Sequence, residues 1–205
     1  MVMRKSQINQ EIWTKKLALA VRASKFLVFV VPYIQGIALT GSVAYGDVDE
    51  DDDLDFFIIT KPRRVYTTRL LTYLWALFLG RKRTGKHEKN TWCLNLFLDE
   101  ADLRVPVSRQ SEFARLQVSR MRVLFERTAC FERFRACNAD WLGLNIVNDY
   151  PPITGKPRWW SLLGDKLEVI LRRWQLNYMR PKVTREYLSP TQIFFHPLDR
   201  SKKRP

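Results

Sequence analysis

Histidine is nearly missing: only His87 and His196 occur in 205 residues. Zinc centres draw on histidine and clustered cysteine, so a zinc site is not expected. Cysteine is scarce too. Cys93, Cys130 and Cys137 are odd in number and lack metal-ligand spacing. That argues against a disulfide framework and for a reduced, cytoplasmic chain. No apolar run reaches the roughly 20 residues that span a bilayer. Residues 17–31 carry Arg22 and Lys25, and residues 70–79 are too short, so both read as buried helices. The second runs into Arg81-Lys82-Arg83, which is compatible with contact at a membrane surface. No secretory signal, internal repeat or low-complexity segment is apparent. Acidic residues are the minority, 21 against 35 Lys and Arg, for a net charge of +14 and a pI near 10.0. A balance this basic points to a polyanion: nucleic acid, nucleotide phosphates or a membrane surface. Apolar residues make up 46%, enough for a core in one domain or a domain with a helical appendage.

Residues 39–57 read LTGSVAYGDVDEDDDLDFF. Ile37-Ala38-Leu39 is expected as a short buried strand running into Thr40-Gly41-Ser42. Glycine permits a tight turn and close backbone approach. A helix opening after it would offer N–H groups to a phosphate, and the Ser42 hydroxyl adds a donor. Leu54, Phe56, Phe57, Ile58 and Ile59 form the next strand, bounded by an acidic turn and by Lys61-Pro62. Residues two apart on a strand share a face. Asp53 and Asp55 therefore project together while Leu54 and Phe56 face the core. Such a pair repels unless a cation sits between, and Mg²⁺ is commonly held by one or two carboxylates plus substrate phosphates. The plain alternative is a charged strand start after a solvated turn.

A strand, Gly-Ser, a spacer of ten residues and Asp-apolar-Asp-apolar together resemble the DNA polymerase beta-type nucleotidyltransferase superfamily. Gly41, Ser42, Asp53 and Asp55 carry the match. The resemblance implies an α+β fold: a small mixed β-sheet with packed helices and a helical C-terminal half. It also implies that Gly41 and Ser42 contact a nucleoside triphosphate and that the two acids hold Mg²⁺ (or Mn²⁺). A third acid on a later strand would complete the site. The best strand for it is residues 91–98, whose central polar residue is Asn95. An amide oxygen can ligate a metal but cannot take a proton from an attacking hydroxyl. Asp99 lies four residues on, expected on the same face and, at roughly 3.3 Å per residue, about 13 Å away. Glu88 precedes the strand. The Cys-Leu-Asn-Leu-Phe strand, with Asn138 to Trp141, Gln175 and the His196 to Asp199 region, also resembles a narrower group of bacterial nucleotidyltransferase-domain proteins.

Elsewhere, residues 6–31 read as a helix ended by Pro32. A second helix is expected from Thr60-Lys61-Pro62 to Leu79, with Arg69 as a candidate phosphate contact. The acidic run from Asp47 to Asp52 reads as surface. Residues 80–90 form a basic loop suited to a triphosphate or polynucleotide. No strand is expected after Asp102. Helices are expected over residues 109–126, 128–147 and 161–178, with a punctuated linker at 151–157. The nucleotidyltransferase-like core is set at residues 1–105 and the helical region at 106–205. Asn138, Trp141 and His196 read as structural.

The expected function is Mg-dependent transfer of a nucleoside monophosphate from NTP to an acceptor hydroxyl. Asp53, Asp55 and Asn95 would be catalytic, Asp53 and Asp55 the metal ligands, and Gly41, Ser42 and Arg69 the nucleotide contacts. The alternative is a catalytically impaired nucleotide- or RNA-binding module of the same fold, which Asn95 and the positive charge favour. A third option is one partner of a two-component complex. The sequence identifies neither acceptor nor protein partner.

Overall fold

The computed structural model describes residues 2–82, 89–144, 159–179, 181 and 186–195, with side chains for all of these except 2–8 and 159–162. The molecule is built outward from Leu54–Thr60 (β2), buried along its whole length. Its run of Phe, Phe, Ile and Ile suits a strand covered on both faces. Ile34–Thr40 (β1) pairs with it antiparallel and sets Thr40 opposite Asp55. Trp92–Asp99 (β3) pairs parallel on the other side and sets Cys93 opposite Asp55. Arg122–Glu126 (β4), Tyr187–Leu188 (β5) and Gln192–Phe194 (β6) complete a sheet of order β4-β1-β2-β3-β6-β5. This is the α+β architecture with a mixed sheet that the sequence implied.

Two apolar layers cover the sheet. On one face Val2–Val30 (α1) and Val65–Phe78 (α3) pack over Ile37, Phe56, Ile58 and Phe97, and Trp159–Met179 (α7) packs on α3. On the other, Cys130–Cys137 (α5) sets Phe131 and Phe134 edge-on to Phe57, with centroids 5.2 and 5.1 Å apart. That close approach depends on Gly36, where a Cβ would stand 2.7 Å from the Phe131 ring. Gly41–Tyr45 (α2), Glu112–Ser119 (α4) and Ala139–Leu142 (α6) are short.

Four expectations are corrected. The helix expected over residues 109–126 ends at Ser119, and Arg122–Glu126 is a strand, so the sheet does gain strands after Asp102. Short apolar runs do not separate helix from strand by pattern; here the free edge of β1 supplies the missing backbone partners. The second helix begins at Val65 rather than at Lys61-Pro62, because Arg63 takes a left-handed φ of 59°. Glu168 of α7 then accepts from the N–H groups of Tyr66 and Thr67 at 2.6 and 2.9 Å, satisfying that helix start. The helix over 128–147 breaks at Asn138, whose amide bonds Leu103, Val105, Phe134 and Trp141. Asp99 does not share a face with Asn95. A register irregularity between Phe56 and Phe57 opposes them to Leu94 and Leu96, skipping Asn95. Asp99 instead accepts from Arg63 N–H at 2.7 Å, on the α3–α7 side. His87, Glu88, His196 and most of the basic loop, the linker at 151–157 and the Asp199 region lie outside the described residues.

Candidate active site

The site forms where β1 stops and β2 starts. At the end of β1 the chain turns through Gly41, whose φ of 74° is left-handed, and enters α2. Alanine would be strained there. Space is also lacking, since a Cβ on Gly41 would stand 3.2 Å from Asp55 Cγ. α2 is pinned from outside the turn: Trp13 Nε1 donates to Val43 O at 3.0 Å, and Arg122 Nε donates to Ala44 O at 2.8 Å. These two bonds satisfy carbonyls that so short a helix cannot pair internally.

Asp53 and Asp55 do project together. One carboxylate oxygen from each and the Cys93 sulfur all lie within 4.8 Å of one another. Asp55 and Cys93 are buried, 5% and 3% exposed, and Asp53 is partly buried. Asn95 joins the group: its amide nitrogen donates to Cys93 Sγ and stands 3.5 Å from Asp55 Oδ1. The skipped register position at Asn95 lets Cys93 and Asn95 attend the same carboxylate. The structure thus gathers Gly41, Asp53, Asp55 and Asn95, with Ser42 next in the chain.

Ser42 and Gly41 are already engaged. The Ser42 hydroxyl donates to Asp52 Oδ2 at 2.7 Å, and Gly41 N–H donates to Gln117 Oε1 of α4 at 3.0 Å. Arg69 is not brought to the cluster. It donates to Gln175 Oε1 at 2.6 Å and stacks on Phe195 at 4.9 Å, beside the first apolar layer.

Sequence reasoning missed Cys93, Lys16 and Gln117. Cys93 is two residues before Asn95 and so shares its face, a signal that was available. Lys16 is 3% exposed, and its ammonium donates to Asp52 O at 2.6 Å and to Asn90 Oδ1 at 3.2 Å. Burial lowers its pKa, against the pull of Asp52, Asp51 and Asp53. Its position in the Ile12, Lys16, Ala20, Ala23, Leu27 stripe marks a cation on a buried helix face. Gln117 carried no signal, because no local pattern predicts that α4 folds back onto the Gly-Ser turn.

From this cluster a cavity of about 90 Å³ runs between α4 and the sheet. Thr40, Asn95 and Gln117 line it at the site end, and Phe57, Phe134 and Trp141 give it an apolar body. Nearby, the Tyr45 hydroxyl is buried without a hydrogen bond among the described residues, and burial raises its pKa, with the Asp55 charge adding to the rise. Among the described residues no helix is long and apolar enough to cross a membrane.

Comparison with known proteins adds one finding. Residues 22–130 match the family model described as a nucleotidyltransferase domain, a span that covers both site strands and the turn. No curated protein matches the chain.

Proposed function

Because the chain belongs to the nucleotidyltransferase-domain family, we propose that it transfers a nucleoside monophosphate from a nucleoside triphosphate to an acceptor hydroxyl. The observation that carries this reading is the placement of Asp53 and Asp55 side by side against the Gly41 turn. Nucleotidyltransferase domains generally use a divalent metal. The donor set fits one: two carboxylates spaced for a shared ion are what Mg²⁺ or Mn²⁺ takes alongside substrate phosphates.

When bound, such an ion would supply positive charge to the transferring phosphoryl group and to the pyrophosphate that leaves as the acceptor oxygen bonds to phosphorus. The chain's own residues do the rest. Asp53 and Asp55 hold the ion. Gly41 exposes backbone where a side chain would block the phosphates, and its N–H passes from Gln117 to a phosphate oxygen. Ser42 offers its hydroxyl once Asp52 releases it. Lys16 fixes the acidic turn through the Asp52 carbonyl. Asn95 orients the cavity mouth, and the apolar cavity takes the uncharged part of a substrate. Arg69 has a structural place between α3 and α7, so phosphate charge is met by other basic residues.

A second reading has one observation in its favour. Among the described residues no third carboxylate joins Asp53 and Asp55; the positions beside them are Cys93 and Asn95. A catalytically impaired nucleotide- or RNA-binding module fits that. One experiment separates the two. The protein is incubated with Mg²⁺ or Mn²⁺ and each labelled nucleoside triphosphate, with cellular RNA and protein as acceptors. Label transfer that is lost in Asp53→Ala and Asp55→Ala supports the enzyme. No transfer, with salt-sensitive RNA binding unchanged in both variants, establishes the binding module.

A further inference from the structure

The position opposite Asp55 on the neighbouring strand is a cysteine, not an acid. We infer that Cys93 is the third protein ligand of the ion held by Asp53 and Asp55, so that this site prefers thiophilic divalent ions, such as Co²⁺ or Zn²⁺, to Mg²⁺. The inference rests on the metal-dependent reading above and concerns only which residues hold the ion.

Three features carry it. The first is reach. A tetrahedral ion bound by sulfur at about 2.3 Å and by oxygen at about 2.0–2.2 Å sets its ligand atoms about 3.3–3.7 Å apart. The three donor atoms lie within 4.8 Å of one another, so side-chain movements of about 1 Å close the site. The second is charge. Two carboxylates and a thiolate carry the same three negative charges as three carboxylates, whereas Asn95 in the third place would leave two. On binding, the thiol proton leaves to solvent and the Cys93 sulfur takes its place on the ion. The third is orientation. The Asn95 amide donates to Cys93 Sγ from the side of Asp55. A donor there holds the sulfur toward the carboxylates. Asn95 is then a positioning residue, not a ligand.

Softness decides the ion. Thiolate ligands select zinc and other borderline metals, whereas Mg²⁺ is an oxygen-seeking ion. The other two cysteines do not confuse the assignment. Cys130 is buried against Gly36, four residues along β1 from the Thr40 that faces Asp55, and Cys137 is exposed on α5.

The test is an optical titration of the full chain with Co²⁺, carried out in a Cys137→Ser background. A thiolate-to-cobalt charge-transfer band in the near ultraviolet is expected at one equivalent. Cys93→Ser should abolish that band and weaken Co²⁺ and Zn²⁺ binding at least about tenfold. Mg²⁺ affinity should stay within about twofold. Cys93→Asp should reverse the preference toward Mg²⁺. Circular dichroism confirms that each variant is folded, and the band in the Cys137→Ser parent needs no change at Cys93. Co²⁺ binding without a charge-transfer band overturns the ligand role of Cys93 and leaves the carboxylate site standing. Absence of any Co²⁺ or Mn²⁺ binding overturns the metal reading itself.

Discussion

Gly41 and Asp55 are in contact through an absence: the carboxylate fills the space a Cβ on Gly41 would need, 3.2 Å from Asp55 Cγ. The turn and the acid therefore fix each other. Gly41→Ala combines a left-handed φ, worth about 1–2 kcal/mol, with a displaced Asp55 side chain. The variant should fold, losing about 1–3 kcal/mol in urea denaturation. Nucleotidyl transfer should fall about 100-fold, the usual cost of moving a catalytic group by an ångström. Retention of full activity would show that Asp55 does not need its present position.

Asp99 predicts a pH effect away from the site. Burial raises its carboxyl to about 6, although the N–H groups of Ala101 and Arg63 favour the charged form. An unfolded aspartate titrates near 3.9. The folded chain thus holds the extra proton between these values, and stability falls as pH rises from about 4 through 6. The loss is on the order of 1–3 kcal/mol. Denaturation midpoints of wild type and Asp99→Asn, measured across that window, should converge at the acid end and separate with rising pH, the variant being the flatter.

How much of this was readable beforehand differs by element. The strands expected at residues 37–40 and 53–60, which fall within or over β1 and β2, the Gly-Ser turn and the acid pair are local patterns, so periodicity and turn chemistry expose them. β4 was not legible, because Val123, Leu124 and Phe125 suit a helix as well as a strand and the deciding partner, β1, is more than 80 residues away in the chain. That Cys93 shares a face with Asn95 was readable, but its place beside Asp55 was not. The parallel pairing that sets it opposite Asp55 is a tertiary fact, and the skipped Asn95 breaks the simple alternation from which Asp99 was placed. Lys16, by contrast, stood in a visible apolar stripe and was readable.

A buried ion pair anchors the β3 end of the sheet to α5. Arg133 bonds Glu100, which is 4% exposed, and Gln35 Nε2 donates to its other oxygen at 3.0 Å. Removing one partner strands a buried charge. Arg133→Met should cost about 3–5 kcal/mol, whereas Arg133→Met with Glu100→Gln should recover a large part of it. A double-mutant cycle by chemical denaturation measures the coupling.

Asn138 makes four side-chain bonds, to Val105 N and Trp141 Nε1 at 2.9 Å each, to Leu103 O at 2.9 Å and to Phe134 O at 2.7 Å. Asn138→Ala leaves several buried groups unpaired, at about 1–3 kcal/mol for such a loss. Asn138→Asp replaces two donors with acceptors that face carbonyls and should cost at least as much. Metal affinity should be unchanged in both, as read by the Co²⁺ titration, because the residue ties loops and not ligands.

The strand that carries Cys93 and Asn95 has one neighbour from early in the chain and one from late. β6 supplies the late one, with Phe97 paired to Ile193, more than ninety residues after β3 ends. During synthesis at about 5–20 residues per second, β3 therefore waits several seconds with one flank of backbone unsatisfied. Over that interval the nascent site is a sticky sheet margin, and holding it soluble on the ribosome is a task the finished molecule no longer shows.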